Sequence, residues 1–283
     1  MIEKRVGMAG IMLVIMLAGL FAPSVRGEVI FGDFARRMCG WQEGDTLAVV
    51  PPSVKSIPPF AFADCKSLRR VEFQGIQLRK IGDYAFLGCA DLREMTVPNG
   101  VVEIGQGCFK GCSGLRRLSL PRGIRKVPHA LCAGCVSLNE VSLPSTLNDI
   151  GSHAFAYCSS LEGIRIPDGV RHMGSNVFSY CTSLREAEVP DAVTELESYS
   201  FSECVALERV KLPGNPSLLG ELLLSGCVSV REIVEPSVTP PAFDCSSTLF
   251  EPELSWLYKV CALRVPEASR DAYANAPGWK EFF

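Results

Sequence analysis

One cysteine recurs at an almost constant interval through most of this 283-residue chain. Eight such residues, called the repeat cysteines below, are separated once by 24 residues and then six times by 23: Cys65, Cys89, Cys112, Cys135, Cys158, Cys181, Cys204 and Cys227. A fixed period of tens of residues indicates an array of stacked structural units. This period constrains the fold more than any local pattern does.

Apolar residues recur at fixed distances from each repeat cysteine. In the unit around Cys89, Ile81 and Phe86 precede it by eight and three residues. Steps of three or four residues link Ile81, Ala85, Phe86, Cys89 and Leu92, which predicts one face of a short helical or 3₁₀ segment. The alternating pair Met95 and Val97 predicts a short strand. A proline nine residues after the cysteine ends seven of the eight units, because proline cannot donate to a sheet ladder.

A single unit of this kind cannot fold alone. Its buried side chains, about six, contribute about 1.5–3 kcal/mol each, whereas ordering its backbone costs at least about 1 kcal/mol per residue. Stacking removes the deficit because neighbouring units cover each other's apolar edges. We therefore predict an α/β repeat solenoid, a leucine-rich repeat type of fold with a parallel β-sheet on one face and short helical or 3₁₀ returns on the other.

The N-terminus is typical of a secretory signal peptide over residues 1–27. It has a charged start, an apolar run and small residues before a cut near Gly27. The uncharged run over 6–25 also approaches the roughly 20 residues of a membrane helix, so a retained anchor remains an alternative. Pro23 favours cleavage, which would leave no membrane span in the mature chain.

The rest of the chain divides into an array and two ends. We predict an N-terminal cap with a half repeat at 28–56, eight repeats at 57–236 and a C-terminal cap at 237–283. Caps are expected because the open ends of a solenoid need polar outer faces.

The units resemble a known family at this level of detail. Units such as IGSHAFAYCSSLEGIRIP (150–167) resemble the BspA-type leucine-rich repeat, and the resemblance extends from about Leu47 to the C-terminus. The closing segment RVPEASRDAYANAPGWKEF (264–282) is similar to the end cap of Bacteroides-like members. The resemblance implies a non-enzymatic, secreted or cell-surface binding protein, which in the best-known members acts in adhesion to host matrix or to other cells.

Composition and motifs argue against several other functions. The net charge of −3 gives no reason to expect nucleic acid binding. The sequence has no GxSxG, HExxH or phosphate-binding glycine loop, and its three histidines lack metal-ligand spacing. We therefore predict no catalytic residue, no metal and no cofactor. The CAGC motif has redox spacing, but Cys132 takes the place of the repeat phenylalanine and Cys135 is a repeat cysteine, so both are predicted to fill the core.

The repeat cysteines are not expected to form disulfides with one another. Equivalent residues of stacked strands lie about 4.8 Å apart, but parallel side chains hold their Cβ atoms too far apart for the usual disulfide geometry. We expect mostly buried thiols. Cys39, Cys245 and Cys261 lie outside the repeat in the predicted caps, where a bridge between Cys245 and Cys261 is an open alternative.

A column of charges is predicted on the concave strand face. Five residues after each repeat cysteine stand Arg70, Glu94, Arg117, Glu140, Gly163, Glu186, Arg209 and Glu232. Two residues further along their strands stand Arg165, Glu188 and Lys211. The column is either a ladder of ion pairs worth about 0–1 kcal/mol each, or a charged binding surface. If this face binds a ligand, we expect it first at the gap that Gly163 leaves beside Arg165 and Glu186.

Two tyrosines form a second candidate on the convex side. Tyr157 and Tyr180 are equivalent residues of adjacent units. Exposed aromatic rows often anchor partners, although packing with a solvated hydroxyl is the alternative.

Together these features predict a monomeric, secreted or cell-surface repeat protein that mediates protein–protein contact or adhesion. The expected partner is an unidentified protein or cell-surface macromolecule. A secreted inhibitor or regulator of an extracellular enzyme, and an envelope scaffold, are the alternatives.

Overall fold

The structure, a computed structural model, describes residues 33–243 and 249–283. The predicted signal peptide and Cys245 lie outside these residues. The described chain forms a parallel β-solenoid of about eight turns, in which each turn carries one unit of the repeat. None of the helices in the described ranges is long and apolar enough to cross a membrane.

The longer strands form a first column, called the strand face. They are β1 (Leu47–Val50), β3 (Arg70–Phe73), β5 (Glu94–Thr96), β7 (Arg117–Ser119), β9 (Glu140–Ser142), β12 (Glu186–Glu188), β14 (Arg209–Lys211), β16 (Glu232–Val234) and β17 (Ala262–Arg264). All pair in parallel, but in three separate sheets with the orders β1-β3, β5-β7-β9 and β12-β14-β16-β17. The predicted parallel sheet is therefore present but interrupted.

A second column of two-residue strands runs beside the first and is called the lateral column. Its members are β2 (Ser56–Ile57), β4 (Lys80–Ile81), β6 (Glu103–Ile104), β8 (Lys126–Val127), β10 (Asp149–Ile150), β11 (His172–Met173), β13 (Glu195–Leu196) and β15 (Leu218–Leu219). They form two parallel sheets, β2-β4-β6 and β8-β10-β11-β13-β15. The apolar residue eight positions before each repeat cysteine thus lies in a strand and not on the predicted helical face.

Each return consists of several short backbone turns in succession and contains no helix. The predicted helical or 3₁₀ returns are therefore not confirmed. In the unit of Cys89, Tyr84 and Gly88 have φ values of 54° and 68°, which a right-handed helix cannot contain. The Phe86 N–H donates to the Cys108 carbonyl of the next unit at 2.9 Å. Left-handed residues turn alternate N–H groups toward the next unit, so these hydrogen bonds run between turns of the solenoid.

Phenylalanine rings stack along the centre of the solenoid. Phe178 is fully buried, with its ring 5.6 Å from Phe155 on one side and 5.6 Å from Phe201 on the other. Cys132 replaces the phenylalanine in one unit, and both cysteines of the CAGC motif are fully buried. The predicted core role of this motif is confirmed.

The repeat cysteines connect neighbouring turns through their thiols. The Sγ atoms of Cys89, Cys112 and Cys135 each lie 3.0 Å from the carbonyl oxygen of the phenylalanine position one unit earlier. The same contact, up to 3.4 Å long, recurs at Cys158, Cys181, Cys204 and Cys227. Cysteine is small enough for this buried position, and its thiol supplies a weak donor to a carbonyl.

We expect the repeat cysteines to be unreactive in the folded protein. Burial raises the pKa values of the Cys158 and Cys181 thiols, which disfavours the nucleophilic thiolate. Burial acts in the same direction on Cys112, but hydrogen bonds with Cys135 and Cys89 lower the pKa of that thiol to about 5. All three side chains are fully buried, so a reagent in solution cannot reach them in the folded protein. Iodoacetamide at pH 8 followed by peptide mass spectrometry should modify them only after urea unfolding. Val136→Cys, at a position that is 43% exposed, is the reactive control. Rapid labelling of a repeat cysteine in the native protein would contradict this burial.

Short helices lie near the two ends of the described chain. Helix α1 (Asp33–Cys39) contacts β1. Near the C-terminus are α2 (Arg270–Asn275) and 3₁₀ helices at Pro252–Lys259, Glu267–Ser269 and Lys280–Phe282. Trp279 is fully buried and donates from Nε1 to the Pro241 carbonyl at 2.9 Å. Cys261 is buried, and its pairing with Cys245 remains untested because Cys245 is not described.

Candidate functional site

The strand face is interrupted at residues 163–166, a segment called the sheet break. The sequence predicts a strand there from the alternation of Ile164 and Ile166, but this segment forms no strand, and β9 and β12 on its two sides belong to different sheets. Gly163 is the physical reason, because glycine has no side chain to pack and weakens a strand. A Cβ placed on Gly163 would have no atom within 4 Å, so the position faces open space.

Two depressions flank the sheet break. The larger has a volume of about 610 Å³ and includes Arg165, Glu186 and Lys211 in its lining. The second has a volume of about 440 Å³ and runs along β9 past Ser142. Arg165 and Asp168 line both depressions, so the sheet break brings these two opposite charges to one place on the strand face.

Ion pairs occupy the strand face on both sides of the break. Arg117 lies 2.6 Å from Glu94 on the neighbouring strand. Arg209 lies 2.9 Å from Glu232 and 3.1 Å from Glu188. Arg264 of β17 also pairs with Glu232. These contacts match the ladder of ion pairs that the sequence offers as one interpretation of this column.

The ladder stops at the sheet break. Glu140, Arg165 and Glu186 are all exposed and form no ion pair with any residue in 33–243 or 249–283. At the far edge of the larger depression, Lys211 pairs with Asp191 at 2.7 Å. Of the seven charged candidates, Arg117, Glu188, Arg209 and Lys211 therefore belong to ion pairs, whereas the three at the break form none in the described chain. Glu140 lies opposite Arg117 in the strand register, and its charge adds to that of Glu94 in raising the pKa of Arg117.

Sequence reasoning missed the two aspartates of the site. Asp168 lines both depressions, and Asp191 lines the larger one and pairs with Lys211. Each follows the proline that ends its unit, Pro167 or Pro190. This shared position in adjacent units was the available signal, but only the structure shows that it borders the strand face.

The tyrosine candidates lie on a return, away from the strand face. The rings of Tyr157 and Tyr180 are stacked, with centroids 4.6 Å apart and an interplanar angle of 7°. They are 52% and 41% exposed. The candidate residues thus divide between two separate surfaces.

The lateral column carries a charge cluster that sequence reasoning did not identify. His172 lies 3.3 Å from Asp149 and 2.9 Å from Glu197, while Lys126 pairs with Asp149 at 3.1 Å. Burial alone would lower the pKa of His172, but its hydrogen bonds to Glu197 and Asp149 raise it. The charges at the first residue of successive lateral strands were the signal in the sequence.

We expect His172 to titrate above its ordinary pKa of 6.5 and His153 below it, because burial and the nearby charges of His129 and Lys110 lower the pKa of His153. Because the pKa of His172 is raised, the protonated ring contributes fully to the stability of the fold below pH 6.5. This contribution is lost as the pH rises through the folded-state pKa. NMR titration of the imidazole Hε1 signals measures both values.

Glu197→Gln provides the control for this titration. It should move the pKa of His172 down and leave that of His153 unchanged, because Glu197 contacts only the former among these two rings. A His172 that titrates no higher than His153 in the unaltered protein would contradict the cluster.

A comparison with protein families identifies the repeat. The profile described as the BspA type leucine rich repeat region matches residues 46–162 and 126–240, with six copies. The chain belongs to the BspA-type leucine-rich repeat family. This confirms the resemblance seen in the sequence. Leucine-rich repeat solenoids are generally scaffolds for protein interaction with extended binding surfaces.

Solved structures include similar leucine-rich repeat proteins. This BspA-type chain is 28% identical to one from Bacteroides ovatus, with a TM-score of 0.63 over 76% of this chain and 58% of the other. It is 29% identical to one from T. pallidum, with a TM-score of 0.53 over 62% of this chain and 86% of the other. The chain therefore spans little more than half the length of the Bacteroides relative. A comparison with curated proteins found no match.

Proposed function

We propose that this protein is secreted or displayed on the cell surface and binds another protein through its strand face, centred on the sheet break. The observation that supports this proposal is the interruption of the ion-pair ladder at Glu140, Arg165 and Glu186. Elsewhere on this face the charges neutralise each other, whereas these three have no ion-pair partner in the described chain. Complementary charges on a partner could replace the missing contacts and set its orientation.

The shape of the site favours a macromolecule over a small molecule. Small ligands are usually held in enclosed, mostly apolar pockets. The two depressions here are open, adjoin each other at Arg165 and have charged linings. Charges of both signs also favour a protein surface over a uniformly charged polymer. Adhesion to host matrix or to other cells is the role we propose for such binding.

The first experiment presents the purified protein to a panel of extracellular matrix proteins, mucins and intact bacterial cells in a surface-binding assay. We expect saturable binding to at least one of them. The variant Glu140→Gln/Arg165→Gln/Glu186→Gln should weaken it roughly tenfold or more, since each lost charge contact multiplies the dissociation constant.

A matched control removes a pair that is already neutralised. Arg70→Gln/Glu72→Gln alters a comparable part of the strand face, away from the sheet break, and should change affinity less than threefold. Absence of saturable binding to every target would refute the adhesion proposal. Equal losses in both variants would refute the assignment to the sheet break, and tight one-to-one binding to a protease or glycosidase would favour an inhibitor.

Fractionation of the producing cells tests the location separately. Under this proposal the protein appears in the medium or on the outer surface. Recovery only from the cytosol would contradict it.

A further inference from the structure

The second candidate surface is built on unfavourable backbone geometry. Tyr157 and Tyr180 have φ values of 62° and 60°, in the left-handed region where tyrosine is strained. At the same position of the repeat, four other units have glycine, which adopts this conformation without strain: Gly88, Gly111, Gly134 and Gly226. Two adjacent units thus carry exposed aromatic rings where glycine would fit better.

The outer ring face of Tyr157 is uncovered. Side chains at this position lean over the following unit, since a Cβ placed on Gly88 would lie 2.7 Å from the Asp64 carboxylate, and one on Gly226 would lie 2.6 Å from the carboxyl carbon of Glu203. Tyr157 likewise stacks on Tyr180 in the following unit. Its opposite face is directed toward the preceding unit, where the equivalent residue has no side chain.

Two glycines form a flat shelf in front of that ring face. A Cβ placed on Gly134 would meet nothing closer than the Gly111 Cα at 3.8 Å, and one on Gly111 would meet nothing closer than Gly88 at 3.9 Å. The N–H groups of Gly111 and Gly134 are bonded to the next turn at 2.8 Å. Solenoid turns are about 4.8 Å apart, so a ring above Gly134 would continue the tyrosine stack at its existing spacing of 4.6 Å.

The edge of the shelf is polar. Lys110 directly precedes Gly111 of the shelf and is exposed. The Tyr157 hydroxyl and the Lys110 ammonium have no hydrogen-bond partner among the described residues. The shelf therefore offers one aromatic wall, a flat floor and polar groups on its margin.

We infer that this shelf binds the pyranose ring of a glycan, stacked on the outer face of Tyr157. A sugar ring has a face of C–H groups that packs on an aromatic ring and a margin of hydroxyls that can bond to Lys110 and to the tyrosine hydroxyl. An aromatic side chain of a protein partner fits less well, because such anchors are normally enclosed by residues that exclude water. This site is independent of the strand-face proposal.

The test uses saturation-transfer NMR of the purified protein with tetrasaccharides of glucose, N-acetylglucosamine and galacturonic acid. We expect at least one to bind, with saturation transferred to protons on one face of a ring. Gly134→Asp should weaken binding roughly tenfold or more. The fold should tolerate this change because Asp64 and Glu203 adopt the same left-handed conformation in other units.

Two further variants separate binding from folding. Tyr157→Gly should abolish binding and leave the melting temperature within about 3 °C, because glycine relieves the backbone strain. Tyr199→Ala, which removes a left-handed tyrosine at another position, should bind normally. The inference fails if none of the sugars binds, if Gly134→Asp binds as well as the unaltered protein, or if a tryptophan-containing peptide occupies the shelf and the sugars do not.

Discussion

Phe178→Ala is expected to lower the free energy of unfolding by about 3–5 kcal/mol, as measured by urea denaturation followed by circular dichroism. Phe178 is fully buried between Phe155 and Phe201, and the turns above and below are held apart at a fixed spacing by their ladders. The surrounding structure cannot collapse into the space that the ring leaves, so the substitution combines lost burial with a cavity.

Two further variants provide a smaller core change and a surface control for comparison with Phe178→Ala. Phe178→Leu retains most of the buried volume and should cost about 1–2 kcal/mol. Val205→Ala, at a position that is 38% exposed, should change stability by no more than about 0.5 kcal/mol. A loss below about 1 kcal/mol for Phe178→Ala would mean that the phenylalanine stack is not a major source of stability.

Glu235→Gln is expected to raise the free energy of unfolding at pH 8 by up to about 3 kcal/mol. Glu235 is fully buried, and burial raises its pKa from 4.5 to about 7. Its Oε1 atom accepts the Ser237 N–H at 2.9 Å, but Oε2 has no partner in the described chain. Tyr273 donates to the Ser237 carbonyl at 3.0 Å, and the charge of Asp191 raises the pKa of Glu235 further.

The sign of the pH dependence follows from this raised pKa. The folded protein holds the Glu235 proton more tightly than the unfolded chain does. The contribution of this proton to the free energy of unfolding is therefore complete below pH 4.5 and is lost as the pH rises through about 7. Denaturation at pH 5 and pH 8 should show a larger loss of stability in the unaltered protein than in Glu235→Gln. Glu267→Gln, which changes an exposed carboxyl, is the control. If Glu235→Gln loses as much stability between pH 5 and pH 8 as the unaltered protein does, the Glu235 carboxyl is not the cause of that loss.

Most of the architecture follows from the spacing of the residues in the sequence. The repeat cysteines, the phenylalanine stack and the alternating pairs identify the unit, its core and most of its strands. The core role of Cys132 was predictable because it occupies a position where other units have phenylalanine. These positions are constrained by burial, which leaves a clear pattern in the residue types.

The conformation of the returns was not predictable in the same way. Ile81, Ala85 and Cys89 have a spacing compatible with one face of a helix, but the spacing of apolar residues does not report backbone φ values. Tyr84, Tyr157 and Tyr180 adopt a left-handed conformation that is unusual for tyrosine. Hydrogen bonding between turns overrides the local preference of these residues, and that effect depends on the neighbouring units.

The candidate site was predictable in position but not in detail. Gly163 marks the interruption directly, because it lacks a side chain where other units have a charge. Which charges remain unpaired depends on distances across the face: Arg209 reaches both Glu188 and Glu232, whereas Glu186 is left without an ion-pair partner in the described chain. Such choices between nearby partners are set by side-chain geometry, which spacing alone does not contain.

The interruptions of the two strand columns never fall at the same place. The strand face is unpaired between β3 and β5 and across the sheet break, and at those turns the lateral strands β2-β4 and β8-β10-β11 are paired. The lateral column is unpaired between β6 and β8, where β7 pairs with β9 on the strand face. Every pair of successive repeats in the described array is therefore joined by strand pairing in at least one of the two columns. The strand face can therefore be open at Gly163 while the lateral strands β8-β10-β11 still join the units on both sides of it.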